Sequence, residues 1–151
     1  LEINIYTDGS SRGNPGPGGY GAILEFGPHT KELSEGYALT TNNRMELMAV
    51  IKALEALKFN NLNITIYTDS KYVYDAVEKG WLRTWIAKNF KKVKNADLWE
   101  RYYRLSLNHQ IRFKWIPGHN GHPQNERCDA LATAAAINNP NQIDTGYLKE
   151  G

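Results

Sequence analysis

One cysteine in 151 residues, Cys128, leaves the chain with no internal disulfide and no cysteine-built zinc site. A lone thiol fits a reducing compartment, and beside Leu131 and Ala132 it reads as a small buried helix residue. No apolar run approaches the roughly 18 residues that would suggest a membrane span. The opening residues lack the pattern of a secretory signal, so a cytoplasmic protein is expected. Neither sign of charge dominates: 18 Lys and Arg against 16 Asp and Glu give a net +2. There is no tandem repeat, and no composition break marks a linker. The composition, 41% apolar and 23% charged, is that of a soluble globular chain, and the length suits a single domain over 1–151. One departure from even charge stands out. Between Lys79 and Lys94 lie Lys79, Arg83, Lys88, Lys91, Lys92 and Lys94, without one acid. Such a segment is either a solvated helix face or an element that faces a polyanion.

Glu2–Thr7 alternates apolar and polar residues as a half-buried strand does. GNPGPGGYG is dense in turn formers, Tyr20–Phe26 reads as a second strand and Lys31–Leu39 as a weaker third. Connections this short predict an antiparallel meander. The period then changes: Leu47, Val50, Ile51, Leu54 and Leu57 mark one apolar face of a helix. A strand follows at Asn63–Thr68, and the strand–helix–strand order suits a parallel pairing with an earlier strand. Helices are expected at Tyr72–Lys79, Trp81–Lys88, Asp97–Leu107 and Gln124–Ile137, with a strand at Ile111–Trp115. The sum is an α/β chain (α+β in some schemes): a five-stranded mixed sheet, a meander plus two parallel strands, flanked by helices.

INIYTDGS at Ile3–Ser10 is echoed by ITIYTDS at Ile64–Ser70. Alternate strand residues share a face, so Tyr6 and Asp8 point one way and Tyr67 and Asp69 do likewise. If the two strands are parallel neighbours, about 4.8 Å apart, both carboxylates meet at one strand edge. Carboxylates that close repel unless a proton or a cation lies between them. Oxygen-only ligands favour magnesium or manganese over zinc. Each acid has a plainer alternative: Asp8-Gly9 is a common turn dipeptide and Asp69 could cap a helix. Asn43-x-x-Glu46 resembles a capping box, and Asp129 could be an ordinary solvent-facing helix acid. GHNGHP, Gly118–Pro123, is a glycine-flanked loop whose His119 could move a proton near neutral pH. His122 could brace that loop or cap the next helix.

DGSSRGNPGPGGYGAIL, TTNNRMELMAVIKALEAL, YTDSKYV and WIPGHNGHPQNERCDALA, in this order over Ile3–Tyr147, resemble the signature blocks of bacterial type 1 ribonuclease H. The resemblance implies the ribonuclease H-like fold and endonucleolytic hydrolysis of the RNA strand of RNA–DNA hybrids, leaving 5′-phosphate and 3′-hydroxyl ends. It places Asp8, Glu46, Asp69 and Asp129 at the family's four metal-binding carboxylates and His119 at its loop histidine. Two Mg2+ ions are the implied cofactor, with Mn2+ able to substitute, and Asp8 is the expected bridge between them.

By the same resemblance Asn14, Asn42 and Asn43 lie along the hybrid's minor groove, where the 2′-hydroxyl distinguishes RNA. Asn43 could equally cap a helix. Thr41 and Asn95 match part of a pocket for a DNA phosphate, although position 39 is leucine where some members place arginine. Lys71 follows the second acid strand and joins the expected substrate contacts. The basic segment at about 80–95 matches a protruding handle, with Trp81, Trp85, Lys91 and Lys92 suited to sugar stacking and phosphate neutralisation. Packing of Trp85 onto the body is the competing reading. The partner expected is an RNA–DNA hybrid, met by a monomer with no membrane association.

Overall fold

The computed structural model describes residues 2–118 and 121–150. In chain order these form β1 (Glu2–Ser11), β2 (Gly16–Phe26), β3 (His29–Thr40), α1 (Asn42–Glu55), β4 (Asn63–Thr68), α2 (Lys71–Glu78), α3 (Trp81–Ala87), α4 (Ala96–Ser106), β5 (Gln110–Trp115), α5 (Pro123–Asn138) and α6 (Thr145–Glu150). The strands make one sheet in the order β3-β2-β1-β4-β5. β1–β2 and β2–β3 are antiparallel, while β1–β4 and β4–β5 are parallel. This is the α/β five-stranded mixed sheet expected, and the two acid strands are neighbours. Tyr6 pairs with Tyr67 and Thr7 with Thr68, so the echoed phrases run in register.

Strand parity separates two cores. Ile3, Ile5, Ile64 and Ile66 point to the α1 side, into the larger cluster. Tyr6 and Ile23 point to the other side, against Cys128 of α5 and Ile116. α5 covers β1, β2 and β3 on that face. β2 begins at Gly16, inside the stretch that reads as turns, and α5 approaches it closely at Gly19 and Gly21. A Cβ on Gly21 would overlap the Cys128 carbonyl oxygen, so glycines here serve helix-to-strand contact rather than turn geometry. The Asn14–Pro15 peptide that leads into β2 is cis.

α1 is buried more completely than one apolar stripe requires: Arg44 to Ile51 are all buried, as are Ala53 and Leu54. The sheet covers its inner face, and α4 and α2 also lie against it. Its N-cap is Thr41, whose Oγ1 accepts from the Arg44 N–H at 3.2 Å. Glu46 therefore stands two residues beyond the position a capping box would need, which Arg44 occupies, and Asn43 is an exposed helical residue. Leu57 falls beyond the helix end. Similarly Ser70, not Asp69, caps α2, its Oγ accepting from Val73 N–H. Both plainer readings of those acids lose their geometric basis.

Beneath α2 and α3 lies fully buried Trp99, with ring centroids 5.8 Å from Tyr72, 5.4 Å from Trp85 and 6.0 Å from Tyr102. α6 has no apolar periodicity to announce it. It docks through Asp144, whose Oδ1 accepts the Tyr147 N–H at 3.3 Å. No helix among the described residues is long and apolar enough to cross a membrane.

Candidate active site

Parallel pairing of β1 and β4 delivers Asp8 and Asp69 to the same sheet edge and face, as register requires. Glu46 arrives from α1, which lies close to β1 because Gly9 has no side chain: a Cβ there would overlap Glu46 N and the Met45 carbonyl carbon. The result is a cluster in which one carboxylate oxygen each from Asp8, Glu46 and Asp69 lie within 4.8 Å of one another. Asp8 and Glu46 are buried, 5% and 7% exposed. Glu46 Oε1 is fully enclosed and has no hydrogen-bond partner among the described residues. Asp8 Oδ1 accepts from the Gly9 N–H at 2.9 Å.

So crowded a set of acids resists ionisation. Burial, then the charges of Asp69 and Asp129, push the Asp8 carboxyl up to about 8 from its ordinary 3.8. Glu46 is raised well above its ordinary range, by burial first and then by Asp8 and Asp69. A buried carboxylate oxygen with no donor is a costly arrangement. Three converging all-oxygen donors resolve it if a hard divalent cation lies among them, and this donor set fits one.

Asp129 lies outside the three-acid cluster, half-buried on α5, and reaches Asp8 through its charge. One residue earlier, the Cys128 thiol donates to the Tyr6 carbonyl oxygen at 3.3 Å, fixing α5 to β1 two residues from Asp8. Burial pushes the Cys128 thiol well up, which keeps it protonated and inert. His119, the loop histidine, lies outside the described residues. Its neighbour Gly118 borders the cluster, since a Cβ there would sit 3.0 Å from Asp69 Oδ2. His122 caps α5: Nδ1 accepts from Asn125 N–H at 3.2 Å, and its ring lies over Tyr6 and Tyr67.

The start of α1 carries the asparagines expected to meet substrate. Asn14 Oδ1 accepts the Asn42 N–H at 3.0 Å, tying the β1–β2 turn to the helix. Beyond it a cavity of about 220 Å³ is lined by Asn14, Pro15, Thr41, Asn43, Lys94, Asn95 and Tyr147. Asn95 is 2% exposed and in the left-handed region, φ 59°. Its Nδ2 donates to Tyr72 Oη at 3.0 Å and its Oδ1 accepts from Arg44. Leu39 is 40% exposed nearby in sequence, where it adds no charge. A larger cavity, about 450 Å³, opens beside Glu2, Asn63 and Gln110 and includes none of these acids.

Lys71 Nζ lies 4.1 Å from the centroid of the partly exposed Trp115 ring, one strand end from Asp69. In the basic segment the two tryptophans part company. Trp81 is 43% exposed with Lys79 near its ring, whereas Trp85 packs on Trp99. Lys91 and Lys92 are exposed. The turn they occupy holds Asn89, Phe90 and Lys92 at positive φ and buries Phe90. Sequence reasoning missed Arg44, completely buried at the centre of an acid pair. An arginine inside a helix that otherwise reads as core was the available signal.

Residues 2–137 match the family model for RNase H. The chain is 54% identical over 154 aligned positions to a ribonuclease H of Citrobacter koseri, covering 99% of this chain and 97% of that one. The same identity and coverage relate it to a ribonuclease H of Salmonella arizonae. Among solved structures, LC9-RNase H1, a type 1 RNase H with the type 2 active-site motif, superposes with a TM-score of 0.83 at 30% identity, over 99% of this chain and 80% of that one. LC11-RNase H1 in complex with an RNA/DNA hybrid gives a TM-score of 0.65 at 29% identity, over 89% and 96%. With a sheet of the expected order, three converging acids at its parallel strand ends and relatives of this similarity along nearly its whole length, the chain belongs to the ribonuclease H family and is a nuclease of the hydrolase class.

Proposed function

We propose that this ribonuclease H hydrolyses the RNA strand of RNA–DNA hybrids at the Asp8–Glu46–Asp69 cluster, with Asp129 completing a four-carboxylate site for divalent cations. The observation that carries the reading is the unpartnered, buried Glu46 Oε1 inside a set of carboxylate oxygens within 4.8 Å of one another. Magnesium is the cation proposed, because hard, all-oxygen donor sets select it, and manganese would substitute. When two such ions are bound they supply a nucleophilic water and charge stabilisation at the leaving 3′-oxygen.

The chain's own residues do the remaining work. Asp8, central among the acids and held by the Gly9 N–H, would be shared between the ions when they are bound. Glu46 is fixed by the close packing of α1 on Gly9. His119 moves the proton or assists product departure. Asn14, Asn42 and Asn43 border the minor groove of the hybrid, and the pocket at Thr41, Lys94 and Asn95 takes a phosphate of the DNA strand. Exposed Trp81, Lys91 and Lys92 form the outer contact of a handle at about 80–95, with Lys71, two residues from Asp69, as a further substrate contact. A single domain of this kind needs no second subunit, and a buried, inert Cys128 suits the cytoplasm.

Incubation with end-labelled hybrid, with and without magnesium, tests the proposal. Cleavage of the RNA strand to 5′-phosphate and 3′-hydroxyl ends is expected only with the metal, and not by Asp8→Asn or Asp69→Asn. Hybrid binding by the wild type without any metal-dependent cleavage would overturn it.

A further inference from the structure

A guanidinium in a dry interior must place five N–H groups, and Arg44 places them all on three residues. Nε and Nη2 donate to Asp144 at 2.7 and 2.9 Å, and Nη1 and Nη2 to Asp97 at 2.9 and 2.7 Å. The second Nη1 hydrogen goes to Asn95 Oδ1 at 3.2 Å. Two of those partners lead to the wall of the 220 Å³ cavity, and Asp97 acts on it only by holding Arg44. Asn95 is itself a wall residue. Asp144 accepts the backbone N–H of Tyr147, a second wall, and the Thr40 hydroxyl at 2.7 Å. The backbone N–H of Arg44 holds the hydroxyl of Thr41, a third. These walls come from three parts of the chain: the start of α1, the residue before α4, and α6. Direct hydrogen bonds through Arg44 and its two acids connect them.

Asn95 also has reason to need a clamp. A left-handed φ is uncommon for a residue with a side chain, and the surroundings must hold it. Arg44 grips one end of its amide and Tyr72 the other. A buried ion pair is by itself weak evidence for stability, so its placement against the cavity walls calls for another account.

We propose that Arg44, with Asp97 and Asp144, is a positioning centre for the DNA-strand phosphate pocket: its guanidinium network sets Asn95 and Tyr147 beside the Thr41 cap without touching the substrate. The inference rests on the reading, given above, that this pocket takes a phosphate. Its test uses short hybrids in which each DNA phosphate in turn is replaced by a neutral methylphosphonate. For the wild type, one position should raise KM about tenfold with kcat nearly unchanged, the loss of one charge-assisted hydrogen bond. Asp97→Asn, at a half-exposed acid, and Arg44→Lys, which keeps charge but not the fork, should raise KM on the unmodified hybrid by a similar factor. In both, the methylphosphonate at that position should add nothing, and Asp97→Glu should recover part of the response. Native far-ultraviolet dichroism shows that each variant is folded before it is scored. A wild type indifferent to every methylphosphonate overturns the phosphate-pocket reading itself. A wild-type response retained in full by folded Asp97→Asn overturns the positioning role alone and leaves the triad a structural one.

Discussion

At the scale of single residues, the acids that bind best are those that fold worst. Asp8 is raised from 3.8 to about 8 by burial and by Asp69 and Asp129, so between those values the native state binds a proton that the unfolded chain releases. Stability is then full below the unfolded value and declines as pH rises through the folded one. In chelator, urea melts should show stability falling from weakly acid pH to about 8, and Asp8→Asn should flatten the decline. That variant is expected to gain about 2 kcal/mol at neutral pH while losing cleavage, less than the full shift implies, because Glu46 shares the proton. Unchanged stability in Asp8→Asn at neutral pH would contradict this. The echoed aspartates were legible in sequence because strand parity is local. Arg44 was not: its meaning depends on Asp97 and Asp144, 53 and 100 positions away.

At the scale of elements, the site depends on how closely α1 approaches β1. Gly9→Ala would force a methyl into Met45 and Glu46 backbone, shifting Glu46 away from Asp8. Overpacking of this kind costs about 1–3 kcal/mol; a larger fall in kcat than in KM is expected, read from steady-state kinetics beside a thermal melt. The basic segment divides by the same logic of contact. Trp85, packed on Trp99, should cost about 2–3 kcal/mol of stability when changed to alanine. Exposed Trp81 should cost under about 0.5 kcal/mol and instead raise KM for hybrid several-fold, since stacking on a sugar or base is what it offers. Equal effects of the two substitutions on both readouts would remove the distinction. Helix existence followed from period, but caps did not. Asn43-x-x-Glu46 has the pattern of a capping box, yet Thr41 holds the cap two residues earlier, where its hydroxyl accepts from the Arg44 N–H.

At the scale of the molecule, two cores on opposite sheet faces leave the acid cluster at the one edge where β1, β4 and α1 converge. A cation bound there relieves the repulsion that folding creates, so magnesium should raise the melting temperature of the wild type. At a hundredfold excess over Kd the gain is about 2.7 kcal/mol, and it should vanish in Asp8→Asn. A melting temperature equally sensitive to magnesium in the variant would place the ion elsewhere. What the sequence by itself determined is whatever depends on neighbours in the chain: the strand and helix periods, the parity that aims Asp8 and Asp69, and the blocks that mark the family. Only the tertiary structure decided that β1 and β4 pair in register, that Glu46 meets them across Gly9, and that Trp85 turns inward. It alone joined Arg44 to three distant partners. Those outcomes arise from non-local packing, in which side chains far apart in the chain must share one volume and satisfy each other's charge, and no local period encodes that.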